Sequence, residues 1–175
     1  MIIGYELMAN RKAARMGTNE SRWPARTAAG LTAAITLVDL AWVPPMNGPA
    51  RRLDGPAYRA IHRQAVRVGG TAAPILALPT LIASILAIKH RRRARRSVLP
   101  NVLGIACLAA NAGITFAINV PINGVFTGAE PLPAHWRQLR RRWLRAHNVR
   151  TAVQVVGLAA TVLAAARRGP PRPDS

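Results

Sequence analysis

Between Arg67 and Lys89 the chain runs for 21 residues without a charged side chain, and between Arg96 and Glu130 it does so for 33. Two further stretches behave alike: Thr27 to Ala50 is interrupted only by Asp39, and Thr151 to Ala166 carries no charge over 16 residues. A helix needs about 20 apolar residues to cross the roughly 30 Å of bilayer hydrocarbon. Each of the first three stretches holds one span, and the fourth becomes long enough if its helix begins in the arginine-rich segment before it. The third exceeds one simple span and contains Pro121, so it is expected to cross and then continue along the interface. The first is expected to end at Pro44-Pro45. The fold class expected is all-α, a bundle of four transmembrane helices with amphipathic extensions before helices 2 and 4. A soluble four-helix bundle would need a polar face along each helix, and 72–88 and 103–120 are apolar or small nearly all round.

The net charge of +19, from 25 Lys+Arg against 6 Asp+Glu, points at first to nucleic acid. Half of the residues are apolar, however, which is too many for a basic nucleic-acid binder and for a disordered basic chain. The charge lies in the loops and helix ends, where anionic lipid headgroups are the expected partner, and no nucleic acid is expected. Counted by side, 14 cations fall with the termini and 11 opposite, and the compact run Lys89–Arg96 is hard to translocate. A multi-pass protein of the cell membrane with both termini in the cytoplasm is therefore expected. Residues 1–26 read as a flexible basic segment, 27–168 as one membrane domain and 169–175 as a disordered tail. No signal peptide is visible, since the first 26 residues lack an apolar core, and Met16 is an alternative start to Met1. The lone cysteine, Cys107, falls inside the third span and gives neither a disulfide framework nor a thiol-rich metal site.

Polar side chains inside a bilayer are costly unless they face a partner or a cavity. Thr32, Thr36 and Asp39 share one face of the first span. Asn111, Thr115, Asn119 and Asn123 form a stripe at steps of four along the third. Trp143, His147, Arg150 and Gln154 share a face of the fourth, and Tyr58 and His62 lie four apart ahead of the second. The Asn/Thr stripe has a plain reading as hydrogen-bonding glue between helices, and Asp39 as a residue paired with a loop arginine. His147 and Arg150 would open on a common cavity with Asn119 and Asn123 if the third and fourth helices are neighbours.

The run Ile118-Asn119-Val120-Pro121-Ile122-Asn123, followed by Trp143-Leu144-Arg145-Ala146-His147-Asn148-Val149-Arg150-Thr151, resembles the anthrone oxygenase-like family of small four-helix membrane proteins. The resemblance covers about residues 98–166 and rests on an N-x-P-x-N turn, a Trp, and an Asn or His ahead of V-R-T. It implies oxidation of anthrones, tricyclic phenolic ketones, to anthraquinones by molecular oxygen without a cofactor. In that setting His147 is the expected general base and Arg150, Asn119 and Asn123 are the expected oxyanion donors. Trp143, Tyr58, His62 and Asp39 are expected to contact the small apolar aromatic substrate. No dinucleotide fingerprint and no zinc motif is present, so no metal or cofactor is expected. Two alternatives stay open: a non-catalytic membrane accessory protein, and a redox protein in which His62 and His147 ligate haem or a metal.

Overall fold

The computed structural model describes residues 23–167. Residues 1–22, with Met16, and the tail 169–175 lie outside them. Among the described residues there is no strand, and four helices are long and apolar enough to cross a membrane. They are α1 (Trp23–Asn47), α2 (Gly55–Arg93), α3 (Leu99–Thr127) and α4 (Trp136–Ala166). The expected four-helix bundle is what forms.

Helix ends follow local chemistry. α1 is described from Trp23, four residues before the stretch that opens at Thr27. It runs through Pro44-Pro45 to Asn47 rather than stopping there, and a 3₁₀ turn, Pro49–Arg52, leads out of it. Asp54 then caps α2, its carboxylate accepting from the Ala57 N–H at 2.9 Å, and Pro56 occupies the first turn. The amphipathic extensions expected before the second and fourth spans are continuous with those spans, giving helices of 39 and 31 residues. α3 also differs from expectation, because no interfacial segment splits off at Pro121. It is α-helical over Leu99–Ile114, widens into one π-helical turn over Thr115–Asn119, and resumes as α-helix over Val120–Thr127. Pro121 has no N–H to give and its ring presses on the preceding turn. The wider turn, in which the Val120 N–H reaches the Thr115 carbonyl, absorbs that conflict without a break.

The solvent assignment shows in what is inside. Leu37, Ile75, Leu78 and Phe116 are between 62% and 72% exposed on the outer surface, while Thr32, Thr36, Asp39, Asn111, Asn119 and Gln154 are buried. Water would make this arrangement unstable; hydrocarbon favours it. α1 packs against α2 and α4, and α4 against α3, whereas α2 and α3 form the sparsest of the four neighbouring pairs. At the α3–α4 crossing the backbones come close. A Cβ on Gly157 would lie 2.9 Å from the Cys107 Cβ, and one on Gly104 would lie 2.7 Å from the Thr161 Cγ2. Small residues of this kind let membrane helices dock tightly without a hydrophobic driving force. Arg91 pins the same end, donating to the carbonyls of Ser97 and Ala164. The opposite end holds a buried apolar cluster: Met46, Ala50, Tyr58, Ile122, Phe126, Trp143 and Leu144.

Candidate functional site

Adjacency of α3 and α4 brings the polar faces of three helices to one level. Arg150 stands at the centre. Its Nη2 donates to Asp39 Oδ1 at 2.8 Å, joining α4 to α1, and its Nη1 donates to Thr115 Oγ1 at 3.3 Å, joining α4 to α3. Its Nε donates to His147 Nδ1 at 3.4 Å, one turn back on α4. Asp39–Arg150 is the one salt bridge among the described residues. The second carboxylate oxygen of Asp39 accepts from Asn111 Nδ2 at 3.4 Å, and the same amide donates to Gln154 Oε1 at 3.2 Å. A buried ion pair is tolerable only where its remaining hydrogen-bonding capacity is filled, and this network fills it.

A second cluster lies against the first. Trp143 donates through Nε1 to Asn123 Oδ1 at 2.8 Å. An indole N–H can only donate, so the Asn123 atom facing it is the carbonyl oxygen. His62 Nε2, 3.1 Å from that oxygen, must donate as well, which leaves His62 Nδ1 to accept from the Tyr58 hydroxyl at 3.3 Å. Asn123 therefore turns its amide N–H groups elsewhere. The same accounting applies to His147. A guanidinium has no lone pair to offer, so Nδ1 of His147 is the acceptor and the proton of the neutral ring sits on Nε2, a buried atom without a protein partner. The Trp143 ring stacks on His147 at 5.0 Å between centroids and meets His62 edge-on at 4.8 Å.

Beside these clusters lies a largely apolar cavity of about 400 Å³ between α2 and α3. Asn111, Thr115, Asn119, Asn123, Trp143 and Arg150 line its polar side. Asn119 is 97% buried, and neither Oδ1 nor Nδ2 has a partner. Two wider depressions, about 740 and 590 Å³, gather arginines at the end of the bundle where α4 begins, away from these buried polar groups.

The sequence-derived site residues thus divide. Asn119, Asn123, Trp143 and Arg150 line the cavity together. Asp39 and His147 stand behind Arg150 and hold it, while Tyr58 and His62, each fully buried, stand behind Trp143 and Asn123. The latter four do not line the cavity. His62 has both ring nitrogens engaged, and Asp39 pairs with Arg150 of α4, not with a loop arginine. Among the described residues no group of three or more His, Cys, Asp or Glu side chains could hold a metal ion. The apolar wall on α2, Gly69, Gly70, Ala73 and Ala77, carries no chemistry that a motif could flag, and the sequence alone did not single it out.

The family model for anthrone oxygenase matches residues 62–160, more than half of the chain, and includes every cavity-lining polar residue. The chain belongs to the anthrone oxygenase family. No curated protein and no solved structure matches it. In this anthrone oxygenase family member the matched region opens at His62 and takes in Asn123, Trp143 and His147. Tyr58 and Asp39, which complete the two clusters, fall before it.

Proposed function

We propose that this membrane protein oxidises a polycyclic phenolic ketone of the anthrone class with molecular oxygen, in the cavity between α2 and α3. The observation that carries this reading is Asn119. An interhelical packing role would pair its amide, because buried polar groups in native structures are nearly always satisfied. Instead a buried donor and acceptor stand free at the edge of an apolar cavity, which suits a ring system bearing an oxygen. Arg150 and the amides of Asn119 and Asn123 offer donors to that oxygen as it gains enolate character, and Trp143 offers a flat face for the rings.

The chemistry balances without an external electron carrier. In the enol form of the ketone, oxygen adds at the ring carbon that was the methylene. The enol proton passes to the outer oxygen of the new hydroperoxide as the first carbonyl re-forms. Loss of water, which takes the remaining hydrogen from that carbon and the outer oxygen, leaves the second carbonyl of a quinone. The donors hold the enol oxygen, and no side chain has to retain a proton at the end.

His147 enters this scheme as a positioning residue rather than as the base. Its accepting Nδ1 steadies Arg150 from one side while Asp39 steadies it from the other. The oxygen-uptake rate of purified protein with anthrone tests this. His147→Ala is expected to lose about a hundredfold, the scale of one misplaced oxyanion donor. His147→Asn, whose amide oxygen can take the place of Nδ1, is expected to recover most of that loss with an unchanged pH profile. If Asn is as inactive as Ala, His147 is the base after all. Absence of oxygen uptake by the unaltered protein with any anthrone would remove the oxygenase reading altogether. The arginine bias of the loops supports placing both termini in the cytoplasm.

A further inference from the structure

The cavity is open on one side, between α2 and α3. Its rim is made by Gly70 and Pro74 on α2 and by Ala112, Phe116 and Val120 on α3, all of them exposed. None of these side chains is polar, and all lie inside the two charge-free stretches 68–88 and 97–129. A mouth that met water would sit at the charged ends of the bundle; this one sits along the seam between α2 and α3, the sparsest of the four neighbouring contacts.

The wall behind the mouth is unusual for the interior of a helix. Of its residues on α2, only Val66 and Pro74 carry more than a methyl group. Two adjacent glycines weaken a helix relative to alanine, and helix packing explains the glycines at only two positions in this fold. At Gly104 and Gly157 an added Cβ would strike a neighbouring helix within 3 Å, whereas at Gly69 and Gly70 it would meet no atom within 4 Å. The space these two glycines leave is therefore not filled by the protein. It is part of the cavity shared with Trp143, Asn119 and Arg150.

We propose that the substrate enters sideways from the hydrocarbon through the gap between α2 and α3, and that Gly69 and Gly70 determine specificity by setting the width of a slot for a flat ring system. The proposal rests on the reading of the cavity as the site of a polycyclic aromatic ketone. A Cβ at either position meets no neighbouring atom, so a larger side chain there would narrow the slot and spare the bundle.

The test uses the full chain in phosphatidylcholine vesicles, with anthraquinone as the probe and the saturable part of tryptophan quenching as the readout. Gly69→Leu and Gly70→Leu are expected to weaken the probe about tenfold or more, the scale at which a pocket rejects surplus hydrocarbon. Their thermal midpoints should not fall, because leucine favours the helix. Gly113→Leu, equally unobstructed but outside the cavity, should bind as the unaltered chain does. An anthraquinone sulfonate, whose charge keeps it out of hydrocarbon, should give no saturable quenching at concentrations where anthraquinone saturates. If the unaltered chain shows saturable quenching and both leucine variants match it, the slot is overturned while the proposed function stands. If the sulfonate binds as tightly as the parent ring, entry from lipid is overturned. If the unaltered chain shows no saturable quenching, the proposed function fails and this proposal fails with it.

Discussion

Two asparagines show how the same side chain differs by place. Asn101 near the start of α3 and Asn119 in its π-turn are both buried with neither amide atom partnered, but only Asn119 lines the cavity. Leaving a buried polar group unsatisfied costs roughly 1–3 kcal/mol, and an apolar replacement of similar shape relieves it. Leucine at either position is therefore expected to raise stability by about 1 kcal/mol, seen as a higher thermal midpoint in detergent. Asn119→Leu should at the same time abolish oxygen uptake with anthrone, and Asn101→Leu should leave it intact. A packing role for the stripe predicts the opposite for Asn119→Leu, a lower midpoint. At this scale much of the candidate site was legible, because a membrane makes each interior polar residue conspicuous: Asn119, Asn123, Trp143 and Arg150, which line one cavity, all stood out. Their assignment to roles was not legible. Nothing along the chain reveals that a guanidinium occupies His147 Nδ1 or that an indole fixes the orientation of the Asn123 amide, since both depend on which atoms meet in space.

At the scale of elements, the π-turn in α3 has a geometric task. With 3.6 residues per turn, residues spaced by four drift about 40° per step around an α-helix. Asn111, Thr115, Asn119 and Asn123 would fan away from α4 on a regular helix; a wider turn at Thr115–Asn119 takes up part of that drift and keeps them along the cavity. Pro121 enforces the turn. Pro121→Ala removes the ring clash and lets the regular ladder re-form, so it is expected to stabilise the protein by up to about 3 kcal/mol and to lower the oxygen-uptake rate. A variant that gains stability and keeps full activity would show that the π-turn does not serve the site. Sequence placed the proline and the stripe but expected the chain to leave the bundle there. A broken helix and a locally widened one share the same residues, and the choice depends on the neighbouring helix that holds both halves in line.

For the whole molecule, the four spans were visible because hydrocarbon imposes one strict demand, about 20 apolar residues per crossing, and charge marks the ends. The order of helices around the bundle was not visible, since spans of similar apolarity carry little information about their neighbours. The decisive link, Asp39 to Arg150, spans 111 positions. That link also bears on how the protein is made. A lone aspartate near the centre of a span opposes insertion by roughly 3 kcal/mol, and a lone arginine opposes it by a similar amount. α1 emerges from the ribosome well before α4 does, so its carboxylate must wait for a counter-charge through the synthesis of two intervening spans. Membrane entry of the first helix should then become secure only when the last one arrives. With a compartment-sensitive reporter fused after Arg52, the first span is expected to cross inefficiently, and Asp39→Leu is expected to restore crossing. Fused after Ala166, the same reporter should read cytoplasmic in the unaltered chain and report mixed orientations in Arg150→Glu. On those outcomes the ion pair that positions a guanidinium in the finished protein is expected to serve also as a late proofreading step, withholding a settled topology from any chain that ends before its fourth helix.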